Sequence, residues 1–334
     1  MSVPRPTNVR ATLGGLLAAA SVIALSTSGV VAQEARAPKG PIEIVVGSGP
    51  GSTPDVLLRR AAQIWNQSGI ITNPIVVQNR TGAIWMNAFR YVLDRPNDEN
   101  IVVSLAEPMW VTPIVQGSEL LYNKFVPLGI WVQTQLIVIA PAGHKAGTLA
   151  EMTALAKANP KQIKVSGATP AGTDEQVLGL IKSATGTDIT YIPHDGGGAA
   201  MATFLGGNTD MITATIDEAL PQIKAGKAKP LAILNEQRRP EPDVKDIPTA
   251  REQGINVTWG QHFGLAGPPN LDPAIAKWWD EKITALTQNE AWKKAIVDNY
   301  QGSTHTRGAE LKALMQSVHE SRVKILTQLG ASKL

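Results

Sequence analysis

Two glycine-rich segments have the residue types and spacing to do chemistry in this chain. They are Gly47-Ser48-Gly49-Pro50-Gly51-Ser52-Thr53-Pro54-Asp55 and Ser166-Gly167-Ala168-Thr169-Pro170-Ala171-Gly172-Thr173-Asp174. Each follows a short β-branched run and opens a helix-like pattern. Such a loop points unpaired backbone N–H groups at whatever sits in front of it, and the positive end of the helix behind it attracts negative charge. Two of these loops, one per lobe and facing each other, make a site for an anionic small molecule. Nothing else in the chain competes with them. No serine has glycine two residues before and after it, so the α/β-hydrolase elbow is absent. The five histidines His144, His194, His262, His305 and His319 do not pair at metal-ligand spacing. Gly47-x-Gly49-x-Gly51 is half a dinucleotide fingerprint, with Ser52 in place of the last glycine. Gly226-Lys227 lacks the rest of a P-loop. These absences lean towards binding without catalysis, without a cofactor and without a metal.

The elements that must position the loops alternate. Ile42–Val46 reads as a strand, followed by a helix capped by Thr53 with Pro54 at its first position. A strand at 74–77, a helix to about Leu93 and a strand at 101–105 follow. The pattern then restarts, with strands at 136–140, 163–166, 189–192, 211–214 and 231–234. Between them lie helices at 149–158, from Thr173 (at capping-box spacing from Gln176) to about Ser183, after Gly196-Gly197-Gly198, and at 220–225. Alternation of this kind implies parallel α/β sheets with crossover helices. Residues 255–265 read as extended, and two amphipathic helices, about 273–288 and 306–329, close the chain.

The chain has 334 residues, too many for one ordinary core, and two lobes suit its length. Its first stretch carries Arg5 and Arg10 and no acid, then an apolar run from Ala11 to Leu25, then small residues ending at Ala32. That is the layout of a cleavable secretory signal peptide over residues 1–32. Without it the formal charge falls from +3 to +1, no footprint for nucleic acid. Cysteine is absent. An exported, cysteine-free chain of this size fits the periplasm, and a monomer is expected.

Several phrases resemble one family in order along the chain. Gly51-Ser52-Thr53-Pro54-Asp55 is similar to the Pro-Gly-Gly-x-x-Asp loop of the Bug-type periplasmic solute-binding proteins, the receptors of tripartite tricarboxylate transporters. Val77-Gln78-Asn79-Arg80-Thr81-Gly82-Ala83, Leu155–Pro160, Ile192-Pro193-His194, Gly206–Met211, Leu220–Gly226, Ile247-Pro248-Thr249 and Phe263-Gly264-Leu265 continue the resemblance. It implies an α/β, two-lobed periplasmic-binding-protein (Venus-flytrap) fold, each lobe a mostly parallel sheet flanked by helices, with two crossover segments near 131–140 and 256–265. The expected lobes are 33–133 plus 259–334, and 134–258. The resemblance also implies capture of a small organic carboxylate, a di- or tricarboxylate or an aromatic acid, for a membrane partner of one large and one small subunit. A ligand sensor for a membrane kinase and, remotely, an exported hydrolase are the alternatives. The chain departs from the pattern at Ser52, at Ile84-Trp85-Met86-Asn87, at Trp110 and at Thr173-Asp174-Glu175.

In this reading the first lobe contributes Gly51, Ser52 and Thr53. Thr81, Gly82 and Ala83 form either a neighbouring wall or a plain turn. The second lobe contributes Thr169, Ala171, Gly172 and Thr173. Gly197 and Gly198 serve contact or tight packing, and Asp217 is a further candidate. Asp55, Asp174 and Glu175 read as helix-start charges, and His194 as structural. Trp85 and Trp110 are either core or pocket walls. As walls they would suit a ligand with a flat or apolar body.

Overall fold

β-branched runs build the first sheet. Strands β1 (Ile42–Val46), β2 (Ile75–Asn79) and β3 (Ile101–Leu105) pair in parallel in the order β2-β1-β3. Helix α1 (Thr53–Gln67) makes the first crossover and α2 (Met86–Leu93) the second. Helix α3 (Pro108–Gln116) follows β3. The computed structural model describes residues 1–4, 35–119, 121–168, 170–194 and 197–334. Most of the expected signal peptide, together with Thr169 and Gly196, lies outside the described residues. Among the described residues no helix is long and apolar enough to cross a membrane.

A 16-residue strand, β4 (Val126–Pro141), belongs to two sheets. In its second half, residues 136–139 pair antiparallel with the seventh strand and residues 137–141 with the eighth. The second sheet is assembled from α4 (Leu149–Ala158), β5 (Lys164–Gly167), α5 (Thr173–Thr185), β6 (Thr190–Pro193), α6 (Gly197–Leu205), β7 (Met211–Thr215), α7 (Ile216–Lys224) and β8 (Ala228–Ile233). There β5 pairs in parallel with both β6 and β7. The chain returns through β9 (Gly260–Gly267), which lies antiparallel between β3 and the first half of β4. Then α8 (Pro273–Gln288), α9 (Glu290–Asp298), β10 (Gly302–Thr306) and α10 (Gly308–Gln328) close the fold, with β10 on β4. This is the two-lobed α/β architecture expected.

The register fixes where the loops point. Leu105 pairs with Gly264, and the β9–β4 ladder runs on to Gln135, so the C-terminal ends of the first sheet's parallel strands face the crossing. Thr215 pairs with Leu136 and Ile233 with Ile137, so the second sheet's strands also end there. Ligands of open α/β sheets bind outside such ends.

Apolar side chains cover both faces of the first sheet. Trp65 of α1 meets Trp131 and Trp279 edge-on, at 6.2 and 5.6 Å between centroids, and its indole N–H donates to the Lys282 carbonyl. Phe89, Trp110 and Met315 fill the opposite face. Several local expectations are corrected. Ser52, not Thr53, is the N-cap of α1. Gly172 caps α5, and Gln176 turns back to the Ala171 carbonyl instead of completing a capping box. β4 begins ten residues earlier than expected, because Gly129 and Gln133–Gln135 interrupt its apolar text. Helices α3 and α9 and strand β10 were not expected. Two prolines in α3 argue against a helix, yet Pro108 sits at its first position, where no N–H is needed.

Candidate functional site

The first loop is held from inside by Asp55. This carboxylate is only 2 % exposed and accepts from the Gly51 N–H at 2.9 Å, Arg59 Nε at 2.9 Å and Asn79 Nδ2 at 2.8 Å. Burial opposes its ionisation, but Arg59, Gly51 and Asn79 together hold its pKa below the usual carboxylate range. Gly51 has φ +81°, a conformation that glycine adopts freely. The Ser52 hydroxyl donates to the Gly49 carbonyl at 2.8 Å and lies 2.6 Å from Ser48 Oγ, so its proton is committed within the loop. Gly51 and Ser52 therefore shape the loop, and their donors are engaged. The N–H groups of Thr53 and Asp55, in the first turn of α1, have no intrahelical acceptor, and Pro54 has no N–H.

A second wall joins the first. The Arg80 N–H donates to the Val46 carbonyl, Asn79 Nδ2 donates to the Ser48 carbonyl, and the Trp85 indole lies over Gly47, where a Cβ would collide with it. Thr81, Gly82 and Ala83 are exposed here, beside the first loop. Trp85 is half-buried between this wall and the core. Trp110 is fully buried, with its indole N–H on the Met315 carbonyl at 3.0 Å. It packs the core and presents no face to a ligand in this conformation.

The second sheet repeats the device. Ala171, at φ +55°, donates its N–H to Glu175 four residues on, as Gly51 does to Asp55. Asp174 accepts from the Ala168 N–H at 2.7 Å. Burial pushes the Asp174 carboxyl up to about 7 against the pull of that N–H, and neighbouring Glu218 adds to the rise. Glu218 is open to solvent yet ringed by protein atoms, which raises its pKa, and Asp217 beside it adds to the effect. Asp217 is half-buried in the first turn of α7. The Tyr191 ring covers Gly167 as Trp85 covers Gly47. Gly197 and Gly198 are exposed, and a Cβ on either would meet no atom, so tight packing does not explain them.

Gln261 ties the crossing to the second loop. Its Nε2 donates to Thr173 Oγ1 at 2.8 Å, while Thr134 Oγ1 approaches its Oε1 at 3.3 Å. Thr173 Oγ1 thus accepts one bond and keeps its own proton to donate. Sequence reading missed Gln261. A lone polar residue in the extended text at 255–265 was the available signal.

A cavity of about 510 Å³ opens elsewhere, beside the crossing and against α10. Gln133, Gln135, Asn235, Gln237, Trp259 and Arg322 are among its walls, and none of the expected loop residues reaches it. Arg322 is already bidentate on the buried Glu107, at 2.5 and 3.3 Å, and stacks on Trp259. Burial lowers the pKa of His262, which disfavours its cationic form. This cavity thus offers an acid no free cation and no helix N-terminus. The loops offer two such termini and suit an acid better.

Comparison with known proteins gives a family match and a shared fold. Residues 58–330 match the family described as tripartite tricarboxylate transporter family receptor. The chain is 25% identical over 297 residues to protein BugT of Bordetella pertussis, covering 84% of this chain and 87% of the relative. Two solved structures share the fold. MatC from Rhodopseudomonas palustris with bound malate is 20% identical with a TM-score of 0.73, covering 86% of this chain and 99% of that one. Rpa4515 of R. palustris with adipate is 18% identical with a TM-score of 0.76, covering 89% and 99%.

Proposed function

The chain belongs to the tripartite tricarboxylate transporter receptor family, and from that premise we propose that it captures a small organic carboxylate in the periplasm and delivers it to the membrane subunits of such a transporter. The observation that carries the proposal is a pair of self-braced loops, Gly47–Ser52 and the one that Ala168 and Ala171 share with Asp174 and Glu175, at the C-terminal ends of two sheets that meet at the crossing. Each opens a helix whose first-turn N–H groups have no intrahelical acceptor. In this reading Thr53 and the α1 terminus receive one end of the acid, with Thr81, Gly82 and Ala83 as a side wall. Gly172 and Thr173, the latter oriented by Gln261, complete the grip from the second lobe, with Gly197 and Gly198 at its rim. Residues 33–133 plus 259–334 form one lobe and 134–258 the other, a division supported by the change of strand partners at Gln135–Leu136 and by the return into the first sheet at Gly260. The open form presents a half-site. Ligand shifts the population towards the closed form, which the transporter prefers. The malate and adipate in the two solved structures support a dicarboxylate as the first class to try.

A thermal-shift screen of the mature chain against citrate, C4 to C6 dicarboxylates, acidic amino acids, benzoates and phthalates tests this. A ligand at a hundred times its Kd adds about 2.7 kcal/mol of stability. Thr53→Leu and Thr173→Leu should each abolish the shift while leaving the unliganded melt in place. A screen in which no carboxylate stabilises the protein would end the proposal.

A further inference from the structure

We infer that Ile84 selects acids carrying an apolar body, an alkyl chain or a ring, over small hydroxylated acids; the inference rests on the receptor reading above. Ala83, Ile84 and Trp85 have φ of +49°, +51° and +67°, three left-handed residues in a row after Gly82 at +111°. For a β-branched residue this backbone is a costly outlier, one that glycine or asparagine would occupy more easily. The surroundings enforce it. Buried Thr112 donates its hydroxyl to the Ile84 carbonyl at 2.6 Å, and Gln116 Nε2 and the Met86 N–H both reach the Ala83 carbonyl, at 3.2 and 3.1 Å. Asn87 Nδ2 holds the Thr81 carbonyl at 2.9 Å, and Trp85 is laid over Gly47.

With its backbone fixed this way, Ile84 is 45% exposed. Neither conformational preference nor core burial selects isoleucine here. An apolar contact made on binding does, because strain of this kind is kept where function uses it. The position fits. The turn is joined to the first anion loop through Trp85 and the Arg80–Val46 bond. Helix α3, which holds the Ile84 carbonyl, also belongs to the cluster of Val111, Ile114 and Leu326 on which Ala171 of the opposite loop packs. Helix α3 thus links the turn to the second loop, and in this reading Ile84 meets the segment between the acid groups. A ligand hydroxyl set against it would be desolvated without a partner.

Titration calorimetry with adipate, phthalate and malate on the wild type, Ile84→Gly and Ile84→Asn tests the inference. Both substitutions suit a φ of +51°, so both variants fold with a melting midpoint at or above that of the wild type. The wild type should bind adipate or phthalate more tightly than malate. Each variant should lower that preference about tenfold, mainly by weakening the apolar acid. A preference that is absent in the wild type or unchanged in the variants overturns the inference alone. Failure of all three acids, and of every other carboxylate, to bind the wild type overturns the receptor reading and the inference with it.

Discussion

Asp55 braces the first loop by standing where an anion from solvent would otherwise approach the Gly51 N–H. Removing it leaves three donors around a buried void, so Asp55→Ala should cost about 3 kcal/mol in chemical denaturation. Its folded pKa lies below the unfolded value. Its contribution is therefore present above about pH 4 and is lost as pH falls through the folded value. Asp174 has the opposite sign. Its folded pKa is raised to about 7, so the folded state holds a proton that the unfolded state releases, and stability declines as pH rises from about 4 to 7. Asp174→Asn should stabilise the protein at pH 8 and have little effect at pH 4, as measured by melts across that range. The same charge opposes an anionic ligand. Wild-type affinity should therefore weaken as pH rises through 7, and the Asn variant should flatten that profile.

Among the elements, β9 shows how tightly the scaffold of the crossing is built. A Cβ at Gly264 would run into the Gly129 carbonyl oxygen of β4, a backbone atom that cannot swing aside. Gly264→Ala should therefore cost about 3 kcal/mol, read as a shifted urea midpoint with the m-value unchanged. Element identity was legible wherever period and punctuation agreed. α8 falls on the residues expected, from Pro273 to Gln288, because Asp272 caps it, Pro273 starts it and its apolar positions keep one face. Legibility failed where tertiary pairing overrode local text. Strand β10, with the sequence Gly-Ser-Thr-His-Thr, has no apolar alternation and exists because β4 offers it an edge. The two loops of the candidate site were readable from glycine and threonine spacing. Two features were not: that Asp55 and Glu175 occupy the most obvious loop donors, and that Gln261 orients Thr173. Both depend on side chains meeting across the fold rather than along the chain.

At the scale of the whole molecule, two sheets share β4, and the polar crossing Gln133–Gln135 with Gly260–His262 is where they meet. Gln261 bonds the second loop from that crossing, so it can report lobe position to the ligand site. Gln261→Leu should leave the melt within about 2 kcal/mol of the wild type, since two part-buried hydrogen bonds, one of them long, are lost. It should weaken carboxylate binding several-fold, because Thr173 is no longer oriented. The most direct test of the central claim is a crystal structure of the mature protein with its tightest carboxylate. The account predicts acid oxygens within hydrogen-bond distance of the α1 terminus at Thr53 and of Thr173 together. An acid lodged in the cavity beside Trp259 and Arg322, or held by one loop with the other left unengaged, would contradict it.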